Sequence, residues 1–153
     1  MFSRDFKKGQ ETENLFRKIC NQKRMMCIKT TKEVDIKKHI DFYITINNKV
    51  VGVDVKSRNY DGEWVYVELK NVRGDTGWLY GESCYIAFER EDIFLLVDRK
   101  SIVELIENKK IKERVSFAKL AYYKLYTRKN RKDLITKINL KDIKEENKII
   151  IKK

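Results

Sequence analysis

Apolar residues at Leu15, Phe16, Ile19 and Cys20 recur at helical spacing, and they predict an opening helix from Gly9 to Met25. Glu11 and Glu13 then fall in its first turns, where the helix dipole favours anions. From Ile40 to Ile46 and from Lys49 to Lys56 the period changes to two, with β-branched residues alternating, which predicts two strands. Asn47-Asn48 separates them, and asparagine tolerates the left-handed backbone that a two-residue hairpin turn demands. Glu63 to Lys70 alternates again and reads as a third strand after a loop holding Asp61-Gly62. Asn71 to Glu82 is irregular. Cys84 to Phe88 and Ile93 to Val97 are short apolar runs expected to be strands. Ser101 with Glu104 forms a capping box for a helix through Ile102, Val103, Leu105 and Ile106. Phe117 to Tyr126 reads as helical and Leu134 to Leu140 as a late strand. The order predicts an α/β fold of the mixed α+β kind: a helix, a three-stranded meander, then further helix and strand elements around a central mixed sheet.

Composition narrows the class. The chain has 153 residues, 42% apolar and 38% charged, with no proline and no repeat, so one domain with a packed core is expected over 1–153. No apolar run approaches a membrane span. Met1 to Lys8 lacks the apolar stretch of a secretion signal, which implies a cytoplasmic protein. Cys20, Cys27 and Cys84 are unpatterned and read as buried free thiols; with His39 they lack the paired close spacing of a zinc site. The net charge of +12 is uneven: 19 basic and 18 acidic residues precede Lys109, against 16 basic and 5 acidic from Lys109 to Lys153. Segment 109–153 is therefore expected to be an extension that contacts nucleic acid, the commonest polyanionic partner of a basic protein.

An acid-x-Lys tripeptide occurs eight times, at Asp5, Asp35, Asp54, Glu68, Asp98, Glu107, Asp142 and Glu146, so the pattern alone selects nothing. The hairpin does select. With Asn47 and Asn48 as the turn, Ile46 faces Lys49, and counting back along one strand and forward along the other puts Asp41 opposite Asp54. Opposed residues share a face with Cβ atoms about 5 Å apart, and Lys56 lies on that face too. Phe42, Ile44, Ile46, Val51, Val53 and Val55 make the other, apolar face. Two opposed carboxylates destabilise a hairpin unless compensated, and a hard divalent cation such as Mg²⁺ is a natural compensator.

At these residues the chain resembles the PD-(D/E)XK nuclease superfamily, particularly its small stand-alone phage and bacterial members. The family's core runs helix, three-stranded meander, helix, strand. Its first Asp starts the second strand and its acid-x-Lys ends the third. Asp41 in His39-Ile40-Asp41 and Asp54-Val55-Lys56 match those positions. Glu13 matches the further acid of the preceding helix, with Glu11 second. The likeness spans Gly9 to about Lys70. Ile40 stands where the family has Pro, no helix is evident in Asn71 to Cys84, and Glu68-Leu69-Lys70 is a competing motif in which Glu68 and Lys70 are additional candidates. The resemblance implies a restriction-endonuclease-like core and a Mg²⁺-dependent DNA endonuclease, resolvase-like or structure-specific, with Mn²⁺ able to substitute. Asp41, Asp54, Glu13 and the Val55 carbonyl would hold the metal and Lys56 would orient the attacking water. Products with 5′-phosphate and 3′-hydroxyl ends and a homodimeric assembly are further expectations.

Lys124, Tyr126, Arg128, Lys129, Arg131 and Lys132 interleave aromatic and basic residues as single-strand or distorted-duplex binding requires, while the other reading of this stretch makes Leu120, Tyr123 and Tyr126 core, which for the tyrosines is the favoured one. Trp78 and Tyr80 fit a cleft lining or simple packing, and His39 a structural role. The rival functional class is a non-catalytic nucleic-acid-binding protein that uses the basic last third.

Overall fold

The computed structural model describes residues 4–59 and 61–153. Its mixed α/β fold holds three α-helices and a central six-stranded sheet. Close contacts divide the chain into two compact units: one of residues 1–59, 82–98 and 148–153, the other of residues 60–81 and 99–147.

In the first unit, helix α1 (Arg4–Gln22) buries Phe16, Ile19 and Cys20, so the predicted apolar stripe is its packed face. The helix runs further back than the spacing predicts, and Glu11 and Glu13 lie in its middle. Strand β1 (Cys27–Lys29) leads into α2 (Lys32–Lys38), a short helix whose Thr31 side chain accepts from Val34 N–H and whose last turn closes on His39 in the left-handed region, at φ 55°. β2 (Phe42–Ile46) and β3 (Lys49–Lys56) form the expected hairpin. Asn47 and Asn48 sit at φ 51° and 64°, and Ile46 pairs with Lys49. β5 (Tyr85–Glu89) runs parallel to β3, β6 (Ile93–Asp98) returns antiparallel, and β8 (Lys148–Lys152) closes the order β1-β2-β3-β5-β6-β8. The core gathers Phe16, Phe42, Ile44, Val53, Val55, Phe94, Leu96 and Ile151, with the Phe16 ring edge-on to Phe94 at 5.1 Å.

In the second unit, β4 (Trp64–Lys70) pairs antiparallel with β7 (Leu134–Asn139) in a two-stranded sheet. Segment Glu63 to Lys70 is thus a strand but not the third member of the meander. The free edge of β3 is taken by β5, and the meander that forms is β1-β2-β3. Helix α3 (Arg99–Lys109) begins before Ser101, which therefore lies inside the helix and does not cap it. Phe117 to Tyr126 is not helical beyond the 3₁₀ turn Ala118–Leu120: Tyr123 takes φ 51° and its N–H donates to the Lys137 carbonyl, while Tyr126 bridges Ile135. Aromatic packing explains the difference, because Tyr122 and Tyr123 both sit edge-on to Trp64, at 4.6 and 5.4 Å. Lys137 is buried in this unit, its ammonium 2.7 Å from Asp61 and 3.9 Å above the Tyr122 ring. Gly77 packs so tightly that a Cβ there would stand 2.4 Å from the Glu68 carbonyl oxygen.

No helix among the described residues is long and apolar enough to cross a membrane. Cys20 and Cys27 are buried free thiols as expected, whereas Cys84 is exposed.

Candidate active site

The hairpin brings Asp41 and Asp54 together, but not as a paired cross-strand couple. The regular ladder ends at Phe42 opposite Val53. One step before it, Asp41 N–H donates to the Val53 carbonyl at 2.8 Å and the Asp41 Oδ2 accepts from Val55 N–H at 2.7 Å. On its other side this peptide keeps the β1–β2 register: Thr30 N–H donates to the Asp41 carbonyl at 3.0 Å, and the Thr30 hydroxyl donates to the Ile40 carbonyl at 2.6 Å. The Asp41 carboxylate is thereby fixed by a main-chain donor on the motif strand itself.

Asp54 is 3% exposed. Its Oδ1 lies 3.1 Å from the Lys56 ammonium, and its Oδ2 is buried without a hydrogen-bond partner. Burial lifts its carboxyl well above the usual carboxylate range. The Lys56 charge opposes that rise, and the neighbouring Asp41, in charge and in hydrogen bonding, adds to it. Lys56 keeps its side chain 31% exposed, so its ammonium reaches solvent while touching a buried carboxylate.

Asp35, on α2, joins the same cluster although the hydropathy pattern offers no sign of it. Burial first, then the charge of Asp41 and a hydrogen bond to it, push the Asp35 carboxyl up to about 6, against the pull of Lys29. Glu13, half-buried on α1, is ion-paired with Lys29 of β1. Burial lowers the Lys29 affinity for its proton, but Glu13, Asp41 and Asp35 more than restore it and hold the ammonium above its ordinary range. Four carboxylates (Glu13, Asp35, Asp41 and Asp54) thus interleave with two ammonium groups, Lys29 and Lys56. The donor set is hard oxygen with an excess of negative charge, and Asp54 Oδ2 is an orphaned acceptor, so these residues fit a divalent cation chemically. Among the described residues no three acidic, histidine or cysteine side chains already stand at ion-holding spacing.

Other expected residues fall elsewhere. Glu11 is exposed on α1. Glu68 and Lys70 lie on β4 of the second unit, at a register shift in the β4–β7 ladder. Val55 offers its N–H to Asp41, as above. His39 serves as the α2 cap, its N–H on the Asp35 carbonyl at 2.9 Å. Trp78 is buried and Tyr80 exposed.

In the basic segment, Arg128 is engaged internally: its Nε meets the buried Asp133 carboxylate at 2.6 Å and its N–H meets the same group at 2.9 Å. Lys124 pairs with Glu113 at 3.4 Å, and Tyr126 is half-buried. Lys129, Arg131 and Lys132 are exposed around Asn130, which turns the chain at φ 62°.

Comparison with protein families, with curated proteins and with solved structures finds no match to this chain.

Proposed function

We propose that the protein is a divalent-metal-dependent nuclease that hydrolyses DNA phosphodiester bonds. One observation carries the proposal: a fully buried carboxylate, Asp54, presents an unpaired oxygen beside a second fixed carboxylate, Asp41, with the Lys56 ammonium on its other oxygen. A buried anion against another anion is costly, and a hard cation removes that cost. The chain order supports a restriction-endonuclease-like core: a helix, an antiparallel β1-β2-β3 meander with Asp41 entering its second strand and Asp54-Val55-Lys56 ending its third, and a next sheet strand parallel to β3. The family's helix after the meander is absent from the described residues between β3 and β5, where β4 and a 3₁₀ turn stand instead.

In this reading Asp41 and Asp54, with the Val55 carbonyl and one further acid, hold Mg²⁺ or Mn²⁺. The bound ion supplies charge neutralisation at the phosphate and a more acidic water. The protein's own groups do the rest. The Val55 N–H holds Asp41 in one rotamer. Asp54 keeps the Lys56 ammonium at the mouth of the site, where it donates to the attacking water and to a phosphate oxygen. Lys129, Arg131 and Lys132 supply phosphate contacts.

Plasmid digestion tests the proposal. Cleavage in Mg²⁺ that is abolished by EDTA and by Asp54→Ala, with DNA binding retained, is expected. Salt-sensitive binding with no cleavage under any divalent ion would favour the rival reading, a binding protein that uses the exposed Lys129–Arg131 turn.

A further inference from the structure

We propose that the outer face of the β4–β7 sheet is a platform on which unpaired DNA bases stack, an inference that goes beyond the nuclease reading and stands or falls separately from it. Tyr66 of β4, Lys137 of β7 and Tyr122 of segment 121–126 lie in one row across three neighbouring lengths of chain. The Lys137 ammonium ties both rings to one face, 3.9 Å from the centre of the Tyr122 ring and 5.5 Å from that of Tyr66. Asp61 and the Lys119 carbonyl hold the ammonium in turn, at 2.7 and 3.0 Å. Trp64, two residues before Tyr66 on the same strand, meets the Tyr122 ring edge-on.

This packing leaves the rings open where a core would close over them. Lys137 is 1% exposed, yet Tyr66 and Tyr122 are 40% and 38% exposed, and Phe117 and Leu120, around the 3₁₀ turn that leads into Tyr122, are more so. A lysine buried in this way does not reach phosphate. Its effect is to fix two aromatic rings whose remaining surface faces water, which is what a stacking base requires.

Charge selects the occupant. From 115 to 132 the chain has six basic residues and no acidic one. Lys124 and Arg128 face Glu113 and Asp133, whereas Lys119, Lys129, Arg131 and Lys132 are exposed. Tyr126 pairs with Ile135, one row beyond Lys137, and 128–132 is the loop that joins these two lengths of chain. Five residues separate Lys137 from Lys132, about 16 Å of strand, within reach of a few nucleotides. Asp61 is neutralised by Lys137. Glu68, two residues beyond Tyr66, shares its face and repels phosphate, so the DNA backbone lies over segment 121–126 and away from β4. Rings for bases and cations for phosphates on one hairpin suit an unpaired strand. A duplex keeps its bases stacked on one another and offers this surface only its phosphates.

Fluorescence anisotropy of the full chain, in EDTA so that nothing is cleaved, tests the platform with three labelled probes of equal length: oligothymidylate, its abasic counterpart and a duplex. Oligothymidylate is expected to bind about tenfold more tightly than the abasic strand, which keeps the phosphates and lacks the bases. Tyr66→Thr should weaken oligothymidylate binding by about fivefold and leave the abasic strand and the duplex unchanged. Tyr66→Phe should retain the preference, and Lys129→Ala with Arg131→Ala should weaken all three probes. Tyr66→Ile repeats the measurement if Tyr66→Thr does not melt cooperatively by circular dichroism. Equal affinity of the wild type for the two single strands overturns the platform, as does a base preference that survives in a folded Tyr66 variant lacking the ring. A loss on the duplex equal to that on oligothymidylate overturns it too. The plasmid digestion separates the two readings: cleavage without base preference overturns the platform alone, and base preference without cleavage overturns the nuclease reading alone.

Discussion

Replacing Asp54 by Asn removes one charge from the most enclosed carboxyl of the site, and it should stabilise the metal-free protein while abolishing cleavage. In the folded chain this carboxyl holds its proton far more tightly than the ordinary 3.8. An acid whose folded value is raised binds more protons folded than unfolded, so stability falls as pH rises from 3.8 through the folded value. The penalty grows by ~1.4 kcal/mol for each pH unit above 3.8 until the folded carboxyl itself ionises. At pH 4 the variant and wild type should therefore melt almost together. By pH 5 the variant should be favoured by on the order of 1 kcal/mol, which for a chain of this length moves the Tm by a few degrees. Asn can still accept from Lys56 and gains an N–H for the Asp41 carboxylate, and Lys56, being partly exposed, loses little when its partner becomes neutral. Thermal melts followed by far-UV circular dichroism in EDTA at pH 4, 5 and 7 give the measurement. A difference that does not change with pH, or a variant less stable than wild type throughout, would refute the reasoning.

Three further outcomes are expected. Lys137→Ala should cost about 3 kcal/mol in urea unfolding, because it empties a buried site and leaves Asp61 without its 2.7 Å partner; the partial exposure of Asp61 keeps the loss from being larger. Gly77→Ala should lower stability by about 3 kcal/mol in the same assay, since the new methyl meets backbone, the Glu68 carbonyl, and not a side chain able to move aside. Lys129→Ala with Arg131→Ala should weaken DNA binding in a filter or anisotropy assay and reduce the salt slope by about one per lost phosphate contact; Arg128→Ala should instead act on stability, through the buried Asp133.

The hairpin was legible in the sequence because everything that specifies it is local. Alternation of period two, an Asn-Asn turn and an apolar face at Phe42, Ile44, Val53 and Val55 lie within fifteen consecutive residues, 42–56. What failed was long-range or too short to show a period. The Glu63 to Lys70 strand was recognisable, but its partner is a strand more than sixty residues later and not its neighbour. β1 has only three residues, and α2 buries none of its seven, so neither carries a hydropathy signature. The helix α2 went unread for that reason, and Asp35, one of eight acid-x-Lys positions, had nothing to set it apart from the others. The hairpin count holds from Ile46–Lys49 to Phe42–Val53 and fails one step later, where Asp41 N–H donates to the Val53 carbonyl and no cross-strand pair with Asp54 forms. In Phe117 to Tyr126 the tyrosines mimicked a helical stripe, and their spacing instead follows Trp64 and the β7 edge.

The strand β8 joins the central sheet from far along the chain, pairing Ile149, Ile150 and Ile151 with Leu96, Leu95 and Phe94. Between Asp98 and Lys148 the chain is occupied with other structure, so β6 must wait for its last neighbour while loop closure over that distance is completed. During this interval an apolar strand has an open edge, the geometry that recruits strands from other molecules. Refolding should therefore be sensitive to protein concentration until β8 arrives, and the lysines at both ends of its isoleucine run, Lys148 and Lys152, discourage the same strand from stacking on its own copies.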